Sequence, residues 1–264
     1  MPAKPKLGQN FLIDAQAVER IAAALGDLTG RTVVEIGPGR GAITGALAAR
    51  ADRVLAIELD RGLAAGLRAE FPPERVTVIE EDVLRFDFAR ALADSGASGQ
   101  LRVAGNLPYY ITSPILLKLA QSHAALELAV LMVQREVADR VVAAPGSRDY
   151  GLLSVTAQMY GPAERLFTLP PAAFSPPPEV HSTVFRWRFA PRFGQLGVEE
   201  ASFLRLVRAA FAQKRKTLMN NLRAAGIRPA RAAATLEKAE LDPRTRAEAL
   251  SIDAFAALWR ALEG

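Results

Sequence analysis

Asn106-Leu107-Pro108-Tyr109 brings two carbonyl acceptors and an aromatic face together within four residues. Asn106 offers a side-chain carbonyl. Pro108 offers a backbone carbonyl on a ring-restricted φ and keeps Leu107 extended. Two such acceptors can grip the exocyclic amine of a flat heterocycle while something beside it is attacked by the amine nitrogen. The Tyr109 ring adds a face on which a base can stack, a contact worth about 1–3 kcal/mol per base. Asn and Pro are also ordinary turn residues, and on these four positions alone a turn is the simpler account. The surrounding chain changes that balance. The stretch follows the apolar run Leu101 to Ala104 and precedes Ser113-Pro114, which reads as an N-cap and a first helical residue. A loop between a strand and a helix is where α/β proteins place their sites.

The elements that would position this loop lie upstream. Val33, Val34 and Ile36 make Thr32 to Ile36 a buried strand, which runs into Glu35-Ile36-Gly37-Pro38-Gly39-Arg40-Gly41 ahead of a helical run from Ala42 to Ala51. Glycines there let the backbone approach a ligand at a helix N-terminus. The spacing is G-x-G-x-G with an acid two residues before the first glycine, which is not the dinucleotide fingerprint. It is similar to the loop of adenosylmethionine-dependent methyltransferases, where a carboxylate suits the cation of the amino-acid moiety. Arg53 to Leu59 is a second strand, and its Glu58, 17 residues beyond Gly41, can accept from both hydroxyls of a ribose. After a helix from Arg61 to Phe71, a third strand from Val76 to Ile79 enters Glu80-Glu81-Asp82. Asp82 stands where that strand meets its loop, facing the same crevice edge, and could accept from an adenine amine.

The rest of the chain supplies further elements. Asp14 can cap a first helix, Val18 to Leu25, behind an arm from Lys6 to Leu12. Glu127 to Val133 is a fifth, nearly continuous apolar strand of the buried parallel kind. Helices follow at Arg135 to Ala143 and Gly151 to Tyr160, then a short strand at Glu164 to Thr168 and a proline cluster, Phe174-Ser175-Pro176-Pro177-Pro178. Phe174 is either part of a stiff connector or a second wall of a base pocket. Val180 to Phe189 alternates as a last, edge-type strand. Ala190 to Gly197 is a boundary, dividing the chain into residues 1–190 and a small helical region, residues 191–264.

The 264 residues are 50% hydrophobic, enough for one large domain and an appendage. No cysteine is present, which excludes disulfides, thiolate-bound zinc and Cys nucleophiles; with only His123 and His181, no metal site is expected. The start, Met1-Pro2-Ala3-Lys4-Pro5-Lys6, has no apolar segment after its charges and no run reaches membrane-spanning length, so a cytoplasmic protein without a membrane partner is expected. Residues 1–190 hold 20 Lys+Arg against 20 Asp+Glu, whereas residues 191–264 hold 13 against 8. The whole excess of +5 lies in the last part, where Lys214-Arg215-Lys216 suits a polyanion.

With these residues in place, the chain resembles the ribosomal RNA adenine dimethyltransferase family, in its small-subunit dimethyladenosine transferase branch. The resemblance rests on Leu7-Gly8-Gln9-Asn10-Phe11-Leu12, Glu35-Ile36-Gly37-Pro38-Gly39, Glu58, Asp82, Asn106-Leu107-Pro108-Tyr109 and Phe174-x-Pro176-x-Pro178-x-Val180-x-Ser182, joined by Lys214 to Leu218 and Asn220-Asn221-Leu222. Ala42-Ile43-Thr44 is a mild variant. The resemblance implies a Rossmann-like class I methyltransferase, an α/β fold with a seven-stranded, mostly parallel sheet and a small C-terminal α-helical domain. It implies S-adenosyl-L-methionine held by Asn10, Leu12, Gly37, Glu58, Asp82 and Asn106, with Asn106 to Tyr109 and Phe174 at the target base. It also implies dimethylation at N6 of two adjacent adenosines in the loop of the 3′-terminal hairpin of small-subunit rRNA, within the assembling 30S-type subunit; the chain itself is expected to be a monomer. The competing expectations are an assembly or RNA-binding factor with little catalysis, a large-subunit rRNA adenine methyltransferase, and a DNA adenine methyltransferase.

Overall fold

A computed structural model describes residues 10–97 and 99–264. Lys4, Lys6 and Leu7-Gly8-Gln9 of the expected N-terminal arm lie outside the described residues. The chain divides into two compact units, residues 1–138 with 163–190 and residues 139–162 with 191–264. The second unit therefore includes a helical segment that the sequence reading grouped with the first. Its four charges, Asp139, Arg140, Arg148 and Asp149, cancel, so the positive excess of the C-terminal region is unchanged.

Among the described residues, the first unit is built on nine strands: β1 (Phe11–Leu12), β2 (Thr32–Ile36), β3 (Arg53–Glu58), β4 (Val76–Glu80), β5 (Leu101–Asn106), β6 (Leu126–Gln134), β7 (Ala163–Leu169), β8 (Phe174–Ser175) and β9 (Ser182–Arg188). Seven of them form one sheet in the order β4-β3-β2-β5-β6-β9-β7. The pairs from β4 through β6 are parallel, and β9 runs antiparallel to both its neighbours. The near-continuous apolar sequences of β2 and β6 follow from burial on both faces. β9 is not the edge strand its alternating sequence suggested, because β7 pairs along its other side. Ser182 and Thr183 are fully buried there, and the Thr183 hydroxyl bonds that of Thr168 at 2.9 Å.

Helices α1 (Ala15–Ala24), α2 (Ala42–Ala48), α3 (Arg61–Glu70), α4 (Phe88–Ser95) and α5 (Thr112–Gln121) cross between strands. Asp14 caps α1 through the Ala17 N–H, and Asp60 caps α3 through Gly62 and Leu63. α4 has no counterpart in the sequence reading; Asp87 caps it through Arg90 N–H. α5 begins one residue before Ser113, which is not its cap. The Thr112 hydroxyl instead reaches back to the Pro108 carbonyl, and Pro114 sits in the first turn, where no intrahelical donor is missed.

The second unit is helical. α6 (Arg135–Val142) enters it from β6, and α7 (Leu152–Tyr160), α8 (Phe193–Leu196), α9 (Glu200–Ala210), α10 (Leu218–Ala224), α11 (Pro229–Lys238) and α12 (Ile252–Glu263) follow. Its core sets the Tyr150 and Tyr160 rings against Phe211 and Phe193, with Phe203 and Phe255 fully buried. The Tyr150 hydroxyl donates to the Leu250 carbonyl at 2.8 Å, and burial pushes its phenol up to about 12.

Strand order reverses at β2, whose successors β3 and β4 lie on one side and β5 and β6 on the other. A crevice opens outside the carboxyl ends of strands at such a point. β5 can approach β2 there only because residue 105 is glycine. A Cβ at Gly105 would stand 2.8 Å from the Ile36 carbonyl oxygen and 3.1 Å from a Leu107 methyl. Gly105→Ala should therefore destabilise the fold by about 1–3 kcal/mol, read by urea denaturation, through overpacking against main chain that cannot move aside. An unchanged midpoint would mean that the strands spread without loss.

Candidate active site

One cleft lies at the carboxyl ends of β2, β3, β4 and β5, and it gathers most of the residues singled out from the sequence. Asn10, Leu12, Gly37, Glu58, Asp82, Asn106, Leu107, Pro108 and Tyr109 all line it. They come from five separate stretches of chain, brought to one edge by the parallel register.

Asn106 ends β5, and its Nδ2 donates to the Asn10 carbonyl at 2.9 Å. Only the amide nitrogen can donate to a carbonyl, so this bond fixes which end of the side chain is which and leaves Oδ1 as an acceptor. Leu107 is buried, and its N–H bonds the Met132 carbonyl of β6 at 3.0 Å, which holds the loop to the sheet. The Pro108 carbonyl, expected as a second acceptor for an amine, already receives the Ile111 N–H at 3.2 Å and the Thr112 hydroxyl at 3.1 Å. The Tyr109 carbonyl lies 3.4 Å from that same hydroxyl, so a rotation of Thr112 would release one Pro108 lone pair. Tyr109 begins a 3-10 turn that ends at Ile111, and its hydroxyl is 2.6 Å from the buried Ser182 hydroxyl of β9. Partial burial pushes the phenol up, and the Ser182 bond offsets this in part. The ring is thus anchored at its far end, as a stacking face needs to be.

The acidic side of the cleft is equally ordered. Glu58, at the end of β3, accepts the Gly39 N–H at 3.0 Å through one oxygen and the Asp60 N–H at 2.9 Å through the other. Each oxygen keeps a further lone pair for a ligand hydroxyl. Asp82 accepts the Leu84 N–H at 2.9 Å through Oδ1. Glu35, on β2, is 1% exposed, and the Thr44 hydroxyl donates to it at 2.6 Å. Burial pushes its carboxyl up to about 7, against the lowering by Thr44 and with the help of the Glu58 charge.

The N-terminal strand forms a wall of the cleft. β1 pairs antiparallel with β8, Leu12 opposite Phe174 and Phe11 opposite Ser175. Phe174, expected as a wall of a base pocket, is instead 2% exposed and joins Leu12, Ile21 and Val184 in the core. The pairing with β1 turns its ring inward. Among the described residues, several cleft-lining side chains were not singled out from the sequence, Phe11, Arg40, Leu59 and Tyr110 among them. Phe11, Leu59 and Tyr110 each adjoin a residue that was named, and Arg40 sits between two glycines of the loop. Adjacency was the available signal. Tyr110 is 57% exposed, and partial burial together with the Asp82 and Glu58 charges pushes its phenol up. Lys214-Arg215-Lys216 belongs to the second unit, in an exposed loop between α9 and α10. Asn221, 1% exposed, organises that loop by donating to the Ala210 and Gln213 carbonyls and accepting the Gln213 N–H.

Among the described residues no cluster of His, Cys, Asp and Glu could hold a metal ion, and no helix is long and apolar enough to cross a membrane. What the cleft can do is hold a ligand bearing cations and hydroxyls on its acidic side. A flat amine could be oriented at Asn106, beside the Tyr109 ring.

Comparison with known proteins gives the same picture. The family model for ribosomal RNA adenine dimethylase matches residues 2–263. A ribosomal RNA small subunit methyltransferase A of Acidobacterium capsulatum is 61% identical over 261 residues, covering 98% of this chain and 91% of its own length. One from Koribacter versatilis is 49% identical, covering 98% of this chain and 94% of its own. Two solved structures share the fold. A dimethyladenosine transferase from Plasmodium falciparum superposes with a TM-score of 0.77 at 21% identity, over 94% of this chain and 95% of its own. The 23S rRNA methyltransferase ErmE superposes with a TM-score of 0.70 at 24% identity, over 97% and 100%.

The buried Glu35 makes stability depend on pH. A carboxyl whose folded value exceeds its unfolded one stabilises the fold below the unfolded value and loses that contribution as pH rises through the folded one. Here the window runs from the ordinary value of 4.5 to about 7. Across it the wild type should lose about 3 kcal/mol relative to Glu35→Gln, whose amide keeps the bond from Thr44. Urea denaturation at a series of pH values reads the difference, and parallel curves would mean that Glu35 is ionised throughout.

Proposed function

Because the chain belongs to the ribosomal RNA adenine dimethylase family, we propose that it dimethylates N6 of two adjacent adenosines in the loop of the 3′-terminal hairpin of small-subunit rRNA. The donor is S-adenosyl-L-methionine and the setting is late subunit assembly. The observation that carries this reading is the orientation of Asn106, whose Nδ2 donates to the Asn10 carbonyl and so identifies Oδ1 as an acceptor. The small-subunit target follows the names of the relatives from Acidobacterium capsulatum and Koribacter versatilis.

The donor set fits the cofactor. Glu58 has lone pairs for the ribose hydroxyls, Asp82 an acceptor for the adenine amine, and Glu35 a carboxyl for the ammonium group. Asn10, Leu12 and Gly37 supply backbone and apolar wall. When bound, S-adenosyl-L-methionine supplies an electrophilic methyl group on a sulfonium sulfur. The adenine N6 lone pair is delocalised into its ring, which makes N6 a poor nucleophile. By accepting an N6 hydrogen, Asn106 Oδ1 favours a pyramidal nitrogen with its lone pair out of the ring plane. Tyr109, held by Ser182, supports the base from its face, and the Pro108 carbonyl can share the amine when Thr112 turns to Tyr109. Positioning of this kind can remove about 7–11 kcal/mol from a bimolecular barrier, so no strong general base is needed. A paired base cannot enter such a cleft, so the target adenosines must be unpaired or flipped.

In the second unit, the Lys214-Arg215-Lys216 loop is the proposed contact with rRNA phosphates. The first region is charge-neutral, and this loop is exposed and pinned by Asn221.

The deciding experiment incubates the protein with labelled S-adenosyl-L-methionine and, separately, unmodified small subunits, large-subunit rRNA and duplex DNA. Label in small subunits as N6,N6-dimethyladenosine is the expected result. Asn106→Ala should abolish most of the turnover with little change in RNA affinity, because its contact strengthens as N6 becomes cationic. Label in large-subunit rRNA or DNA instead, or binding without label, would replace this reading.

For the loop, a salt titration of binding to unmethylated small subunits separates phosphate contact from a merely solvated turn. Replacing Lys214, Arg215 and Lys216 by Ala should flatten the slope of log affinity against log salt by about 2 to 3. Cofactor affinity should be unchanged. Parallel lines would move the phosphate contacts elsewhere.

A further inference from the structure

Among the described residues that line the cleft, four are acids, Glu35, Glu58, Glu81 and Asp82, and a single one is a cation, Arg40. The acids suit the sulfonium, ammonium and hydroxyl groups of the proposed cofactor. They do not suit its carboxylate, which they repel. We propose that the Arg40 guanidinium receives the carboxylate of the cofactor's methionyl end, an assignment that rests on the methyltransferase reading above.

Geometry holds Arg40 where this requires. Its guanidinium carbon lies 4.3 Å from the centre of the Phe11 ring. That ring is itself seated on the glycine loop, since a Cβ at Gly39 would come within 3.0 Å of two of its carbons, with Gly39 at a φ of +59°. Phe11 is fixed in turn by its pairing with Ser175 in β8. With its cation over the ring, the guanidinium can turn its N–H groups to a carboxylate, which they match fork to fork. No carboxylate among the described residues pairs with it. The placement along the cleft is also consistent. Gly37 packs toward the Asn106 carbonyl, with an ideal Cβ 3.7 Å away, and Arg40 follows three residues later on the same loop. The methyl group and the methionyl chain leave the same sulfur, so a loop that reaches the transfer end can also reach the carboxylate.

The test uses two ligands that differ only in that group. Decarboxylated S-adenosylmethionine keeps the sulfonium and the ammonium and lacks the carboxylate. Calorimetry on the full chain should find it bound roughly tenfold or more weakly than S-adenosyl-L-methionine, the loss expected when a charge-assisted pair is removed. Arg40→Leu should lose a similar factor for S-adenosyl-L-methionine and almost none for the decarboxylated ligand, so that the preference disappears. Arg40→Lys should keep part of it. A variant that weakens both ligands equally, with its circular dichroism spectrum unchanged, would show that Arg40 only shapes the loop, and the proposal falls. It falls too if the wild type does not distinguish the ligands. If Arg40→Leu keeps the preference and instead flattens the salt dependence of RNA binding, the guanidinium faces a phosphate. Failure of the wild type to bind either ligand would overturn the methyltransferase reading itself, a different outcome from any change seen only in the variant.

Discussion

A primary amide has one end that donates and one that accepts, and a backbone carbonyl can only accept. The bond from Asn106 Nδ2 to the Asn10 carbonyl therefore joins two parts of the chain 96 residues apart and orients the amide at once. Around it the fold supplies rigid support on every side. β5 is held in the sheet between β2 and β6, the Leu107 N–H is tied to β6, and Asn10 is followed directly by β1, which β8 clamps. An Asn on a free loop would sample both orientations, and an acceptor present half of the time would position an amine poorly.

The two regions of the chain divide the electrostatic work. The cleft collects carboxylates, one of them buried and near neutrality, which favours a small cationic ligand and disfavours a bare polyanion. The positive excess lies in the helical unit, much of it on exposed side chains, where long-range attraction to a polyanion would be least screened by protein. Cofactor and polymer thus need not compete for the same charges. On the proposed reading the base would enter an acidic cleft through uncharged contacts, and Asn106 and Tyr109 offer a carbonyl and a ring for that.

Much of this was legible in the sequence because strand ends carry their chemistry locally. An apolar run that stops at Gly37, Glu58, Asp82 or Asn106 states both the strand and the residue at its carboxyl end, and parallel pairing does the rest. What escaped depends on long-range pairing. The alternation of β9 suggested an edge, but only β7 lying beside it shows otherwise. Phe174 looked like a pocket wall until its pairing with Leu12 turned it into the core. Ser113 had the residue type of a cap, yet the helix begins before it, with Ile111 at the cap position and no side-chain cap bond. The Tyr109 to Ser182 bond links positions 73 apart and has no local signature at all. The segment 139–162 was grouped with its neighbours in sequence, whereas Tyr160 bonds Glu200 and Gly146 bonds the carbonyl of Glu248.

That last arrangement bears on how the protein is made. The helical unit is discontinuous, so its first piece leaves the ribosome well before the residues that cover it. α7 buries Val155, Met159 and Tyr160, and Tyr150 packs on Phe211 and bonds Leu250, so the last of these partners emerges only after about a hundred further residues are translated, several seconds or more at ordinary elongation rates. The sheet, by contrast, has all its strands once Arg188 has emerged. Synthesis thus orders the two units in time: the cleft can form first, and the helical unit is completed last, when its C-terminal helices join the segment 139–162.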